Sequence, residues 1–144
     1  MDEIAFFDGK LRKRSLPVFH GPPPANAHGP KRLLLSQGEL ANFYDEDQGI
    51  RYLATLELRL GSIRGNHVHR SKLEHVYIVS GCLLLAAAEE KNADPVTMEL
   101  GRGDLVTIKP GIAHAFKTLE AGYAVEFSPQ VFDAMDLQRV LLLE

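Results

Sequence analysis

The sequence predicts an all-β domain, a sandwich or barrel of short strands, on three observations. "RYLATLELRLG" at 51–61 alternates, with Tyr52, Ala54, Leu56, Leu58 and Leu60 on one face and Thr55, Glu57 and Arg59 on the other. A period of two marks a strand with one buried face. Further short apolar runs follow to residue 128, separated by Gly, Pro or Asp, which is the spacing of sandwiches and barrels. Helical signals are confined to the final residues.

The 144 residues suit one domain. Its expected parts are an N-terminal arm with edge strands (1–50), a barrel (51–128) and a C-terminal tail (129–144). Hydrophobic residues at 45% and charged residues at 24% allow a real core. A formal net charge of -3 gives no reason to expect a nucleic acid or an anionic membrane as partner. The local basic cluster Lys10, Arg12, Lys13 and Arg14 reads as a solvated tail, with phosphate binding the minority option. Cys82 is the single cysteine, so no intrachain disulfide forms. The longest apolar run, 82–88, is too short for a bilayer. The acidic start "MDEIAFFDGK" has no signal-peptide core. A cytoplasmic protein is the default expectation.

Taken in order, residues 1–30 read as irregular. "FHGPPPANAHGP" holds four prolines, which remove backbone donors and fix φ. Such an arm is expected to lie across the body or a second subunit, and His20 and His28 within it are not expected to be ligands. "KRLLLSQGEL" reads as a strand running into a turn at Gly38. After 51–60 come "HVYIVSG" and "CLLLAAAEE" on either side of Gly81, then "PVTMELG" and "DLVTIKPG" separated by "GRGD", then "AHAFKTL" and "YAVEFSP". At the end, Ser128 suits an N-cap and Pro129 a first turn, with Phe132, Met135 and Val140 apolar, so a short helix fits 129–144. "RVLLLE" reads equally well as a closing strand.

The chemistry concentrates in "GSIRGNHVHRSKLEHVYIVSG", 61–81. His67 and His69, two apart on a strand, project from one face, roughly 6–7 Å apart. The polar "RSKL" turns the chain, and Glu74 opens a returning strand whose antiparallel pairing would set its carboxylate opposite both rings. After the turn formers Pro110 and Gly111, His114 begins another alternation shared with Phe116. A slip of one residue would exchange Glu74 for His75. Arg64 and Asn66 can orient a ligand or simply shape the strand entry, and Lys109 can reach the barrel mouth or stay solvated.

These residues resemble the cupin superfamily. Its first motif, G-x5-H-x-H-x3,4-E-x6-G, is matched by Gly61, His67, His69, Glu74 and Gly81. Its second, G-x5-P-x-G-x2-H-x3-N, is matched at Gly103, Gly111 and His114, while Lys109 stands at the proline and Thr118 at the asparagine. The resemblance covers 51–128 and implies a conical jelly roll open at one end. It also implies one divalent metal on His67, His69, Glu74 and His114, or on His75 in place of Glu74. Zn, Fe, Mn, Co and Ni all suit such donors, with Zn and Fe favoured. Leu56, Leu58, Val76, Ile78, Phe116 and Phe127 would line the cavity.

Three function classes follow from the resemblance. The first is Lewis-acid enolisation of a small keto substrate for cyclisation or isomerisation. The apolar cavity and scarce inward charge favour a chain similar to small aromatic polyketide cyclases of antibiotic pathways. The alternative is a sugar-nucleotide isomerase or epimerase, since "RGNHVH…E" also resembles metal-binding cupin domains of capsular-sugar biosynthesis; the metal-free sugar epimerases of this fold lack the ligand set. The second class is a non-haem iron dioxygenase, and the third a non-catalytic binding module. For a general base, a metal-bound water is the simplest choice, with His75 and Glu57 as other candidates. A homodimer is expected.

Overall fold

The computed structural model describes residues 2–90 and 93–144. They form twelve strands: β1 (Asp2–Phe6), β2 (Leu11–Ser15), β3 (Val18–His20), β4 (Lys31–Leu35), β5 (Gly38–Asn42), β6 (Tyr52–Leu58), β7 (Ile63–His69), β8 (Glu74–Ala88), β9 (Val96–Gly101), β10 (Asp104–Ile108), β11 (Ala113–Ser128) and β12 (Leu137–Arg139). The helical content among them is one 3₁₀ turn, Ala134–Asp136. Among the described residues no helix is long and apolar enough to cross a membrane.

Two long strands organise the molecule. β8 and β11 pair antiparallel from Ala113↔Ala88 to Phe127↔His75, with register shifts between Thr118 and Ala124. The sequence separates each of them into two strands, but both run on through the middle. The first half of β8 pairs with β10 and the second with β9. The first half of β11 pairs with β7 and the second with β6. The sheet therefore folds over on itself into a sandwich.

The fold line is made by two glycines. Gly81 has φ +88, and a Cβ there would come 2.6 Å from the Glu120 carbonyl oxygen. A Cβ on Gly122 would overlap the Ser80 carbonyl. Bulges of this kind bend a strand without ending it. Between the layers lies the main core, in which Val76, Ile78, Leu83, Leu85, Phe116 and Ala124 are buried together. A smaller cluster of Leu16, Tyr77, Leu105 and Phe127 sits on the opposite face, packed by Ala41, Phe43 and Tyr44. Those three belong to, or directly follow, the separate sheet β3-β4-β5.

Both chain ends differ from expectation. Residues 2–15 are a hairpin rather than an irregular arm, and β2 joins the main sheet by pairing with β10. The Asp8-Gly9 turn makes this possible, since Phe7, Asp8 and Gly9 all take positive φ. The reading of Lys10–Arg14 as a solvated tail overlooked Leu11, which is fully buried. At the other end no α-helix forms. Asp133 caps the single turn, and Leu137–Arg139 then pairs with β7 as a closing strand.

The Gly81 bend yields a stability prediction. Gly81→Ala should cost about 3 kcal/mol through left-handed strain and backbone overlap. Gly49→Ala, which has open space around it, should stay within about 0.5 kcal/mol. Urea unfolding of the two variants checks the contrast.

Candidate metal centre and its pocket

His67, His69, Glu74 and His114 each bring a ligand atom into one cluster, all within 4.8 Å of one another. The route by which they meet differs from the expected hairpin. β7 and β8 are not neighbours: β7 pairs with β11 and β12, β8 with β10, β11 and β9. His114 stands beside His67 as its Cα partner, and Glu74 reaches the three rings from the other half of the folded sheet. Residues 70–73 thus cross between layers.

A backbone distortion sets the ring directions. Gly65 (φ 88) and Asn66 (φ 54) are both left-handed, and a Cβ on Gly65 would stand 2.8 Å from the His114 carbonyl oxygen. The Asn66 amide fixes the distortion to the C-terminal tail, accepting from the Leu142 and Leu143 amides at 2.9 and 3.0 Å and donating to the Leu143 carbonyl at 2.9 Å. The His67 ring centroid lies 4.7 Å from that of His69 and 4.8 Å from that of His114.

Each of two histidines has an outer partner. His114 Nδ1 lies 3.0 Å from the Ile112 carbonyl, which leaves Nε2 for the cluster. His69 Nδ1 lies 3.5 Å from Asp136 Oδ2. Asp136 itself accepts from the Ser71 and Lys72 amides. Carboxylates and carbonyls behind histidines are the usual way of orienting metal ligands.

The donor set fits a divalent cation. Ligand atoms sharing one ion at bonds of about 2.0–2.2 Å stand about 3–4 Å from each other. Here His114 Nε2 is 2.8 Å and His69 Nε2 4.0 Å from the Glu74 carboxylate. His69 Nε2, His114 Nε2 and Glu74 Oε2 are all buried without an aligned hydrogen bond, the short His114–Glu74 contact included. Buried polar atoms are seldom left so, and a cation between them would satisfy all three.

Electrostatics agree. Burial pushes His67 down to about 4, with the neighbouring His114 adding to it, and burial likewise lowers His69. Both are neutral ligands at pH 7. Burial works against the charge on Glu74, yet His114, Glu126 and Lys72 hold its carboxyl well below the usual range. Burial also opposes protonation of His114, but Glu74 outweighs it and raises the imidazole. Protons and a metal would therefore compete for His114.

His75 takes no part in the cluster. It points to the other face of β8, its Nδ1 2.8 Å from Thr107 Oγ1 and its ring stacked on Phe127. Burial and the Arg14 charge lower it to about 4. The Glu74 register therefore holds in the fold, because Glu74 and His75 are consecutive on an unbulged stretch.

A pocket of about 150 Å³ opens beside the cluster. Leu56, Val76 and Phe116 line it as expected, but Leu58 and Ile78 lie deeper in the core. Phe127 is on the opposite face, in the smaller cluster. Its inward place is taken by Glu126, because "AHAFKTL" and "YAVEFSP" are one strand on which Phe116, Ala124 and Glu126 keep the same face. Glu57 lies on the outer side of β6, and Lys109 borders a different recess. The pocket is also more charged than the sequence suggests. Arg64 lines it, and Arg59 and Arg64 line the adjoining depression.

Glu126, Lys72 and Tyr52 were not legible as site residues. Burial and the adjacent Glu74 push Glu126 up to about 8. Lys72, buried despite its charge, sets its Nζ 3.9 Å from Glu74, 3.7 Å from Glu126 and 4.4 Å above the Tyr52 ring. Burial and Glu126 also raise Tyr52. Glu126 was within reach of strict counting, since Ala124 and Glu126 share a face; its charge made Phe127 the more natural inward choice.

No protein-family model matches the chain, and no curated protein matches it. Solved structures do. QdtA, a sugar 3,4-ketoisomerase from Thermoanaerobacterium thermosaccharolyticum in complex with TDP, superposes with TM-score 0.69 at 12% identity over 90% of this chain and 88% of that one. A dTDP-4-dehydrorhamnose 3,5-epimerase from Sulfolobus tokodaii gives 0.70 at 16% identity over 90% and 76%. CapF, a capsular polysaccharide assembling protein from Staphylococcus aureus, gives 0.60 at 16% identity over 84% of this chain and 35% of that one. None of these three is a polyketide cyclase. At such identities the likeness concerns the fold, and the fold is the cupin jelly roll.

Two outcomes follow from the site. The protein should bind one divalent ion per chain, more weakly as pH falls because protons compete for the ligands. His67→Ala or His114→Ala should lose the ion by elemental analysis while circular dichroism keeps its β signature, and His75→Gln should retain it. Separately, the native metal-free protein holds a proton on Glu126 that the unfolded chain has released. Its stability should therefore fall as pH rises from the ordinary glutamate range to about 8. Glu126→Gln should flatten that slope in melts across this window.

Proposed function

We propose that the protein is a metal-assisted isomerase or epimerase that moves a proton next to the ketone of a keto sugar carried on a nucleotide. The observation that carries this reading is one pocket lined by two carboxylates, Glu74 and Glu126, with Arg64 at its edge; their surroundings push Glu74 down and Glu126 up. Environments that push paired acids apart mark acid and base roles. The likeness to sugar ketoisomerases and epimerases supports the substrate class, since several of those structures are complexes with TDP or a TDP-keto sugar.

A divalent ion held by His67, His69, Glu74 and His114 would stabilise negative charge on a carbonyl oxygen. The remaining work falls to the chain. Glu126 carries the mobile proton: a carboxyl near neutrality can give it up and take it back. Lys72 positions Glu126 and Glu74 together, and its ammonium limits how far Glu126 rises. Tyr52 is within reach of the same proton. Leu56, Val76 and Phe116 exclude water from the sugar ring's apolar side. Arg64 and Arg59 supply donors for a diphosphate outside the pocket. The cyclase reading shares the enolising chemistry and the apolar wall, but it leaves the two arginines without a task.

The test uses TDP-4-keto-6-deoxyglucose, the ligand of one QdtA complex, in deuterium oxide with a divalent metal present. NMR should show loss of a hydrogen next to the ketone. Glu126→Gln should lower the exchange rate by about 10²-fold or more. Arg64→Ala should raise KM about ten-fold with a smaller change in kcat. A wild-type protein loaded with metal that exchanges no hydrogen on keto-sugar nucleotides, yet cyclises a poly-keto substrate, would overturn the assignment.

A further inference from the structure

On the face of the sheet turned away from the metal cluster, three strands place polar side chains in one row. Arg12 on β2 is the Cα partner of Thr107 on β10, and Thr107 is the Cα partner of His75 on β8. Residues in register on one face stand side by side. Arg14 and Lys109 lie two positions along β2 and just beyond β10, on the same face. Together these five residues border a recess of about 170 Å³, with Glu46 and Gln48 also on its edge.

This recess holds two polar atoms that the protein leaves unused. His75 is buried, with 6% of its surface exposed, and lines the recess; its Nδ1 is taken up by Thr107 while Nε2 has no partner. Arg14 Nε is likewise buried and unpartnered. Arg12 is engaged by Glu3 at 2.8 Å. Three cations border the recess against one carboxylate, Glu46. In the tautomer whose Nδ1 accepts from the Thr107 hydroxyl, the one a bound oxyanion selects, His75 presents an Nε2–H donor. Guanidinium forks beside such donors suit a tetrahedral oxyanion.

We propose that this recess is a second binding site, for a phosphate group. It is separate from the pocket at Arg64, because Glu74 and His75 are consecutive on β8 and face opposite sides of the sheet. The inference stands independently of the isomerase reading.

Calorimetric titration of the full chain with inorganic phosphate, at constant ionic strength and with chelator present, tests it. Saturable binding and a phosphate-dependent rise in melting temperature are expected, with acetate and chloride giving neither. Glycerol phosphate as a second titrant distinguishes a phosphomonoester from the free ion, and tighter binding of either fits the site. Arg14→Gln should weaken binding about ten-fold while still melting cooperatively, and Thr107→Val should also weaken it. His67→Ala, altered on the opposite face, should bind as the wild type does. Absence of saturable heat, an equal response to acetate, unchanged affinity in Arg14→Gln, or loss of binding in His67→Ala would each overturn the proposal.

Discussion

The whole arrangement depends on two strands that bend without breaking. At Gly81 and Gly122 the backbones of β8 and β11 come closer than any side chain allows, and the continuous ladder folds over there. That contact sets the first half of β8 opposite the first half of β11. Glu74 and His114 are remote in sequence and lie on different halves of the sheet. They meet only because the fold line brings the layers face to face. A straight pair of strands would leave each donor against its own in-sheet neighbours, and no cluster would form.

Burial then gives the cluster its character. The four donors are largely buried, with Lys72 and Glu126 beside them, and an uncompensated charge there is costly. The protein's own compensation is partial. Lys72 serves two carboxylates and the Ile112 carbonyl holds the outer nitrogen of His114, while the inner nitrogen of His114 and both ring nitrogens of His69, with Asp136 3.5 Å from one of them, are left over. Burial opposes charge on both carboxyls; it drives Glu126 upward, whereas His114, Glu126 and Lys72 outweigh it at Glu74. A site that tolerates unmet donors is one organised around something it binds.

Three of the four donors were legible because their spacing is local and their chemistry is scarce: His67, His69 and Glu74 fall within one short stretch, while His114 stands out beside the Pro110-Gly111 turn. The period-two pattern of β6 was equally plain, and its exposed and sheltered positions alternate as read. What stayed hidden depends on register. Reading β11 as two strands broke the count of faces, whereas the alternation carries from Phe116 to Glu126 and sets Phe127 on the other side. The partnership of Asp136 with His69 joins residues far apart, and nothing in "FDAMDLQ" announces it. The polar row Arg12–Thr107–His75 exists only through the pairing of three strands. The "GRGD" and Gly38 turns, by contrast, form where the residues indicated.

The Asn66 clamp has a practical corollary. The side chain that immediately precedes the first histidine is tied to residues 142 and 143, and its carbonyl to Val140. Residues 140–143 are therefore a structural part of the donor cluster. Deleting or replacing them acts directly on the strained turn that aims His67.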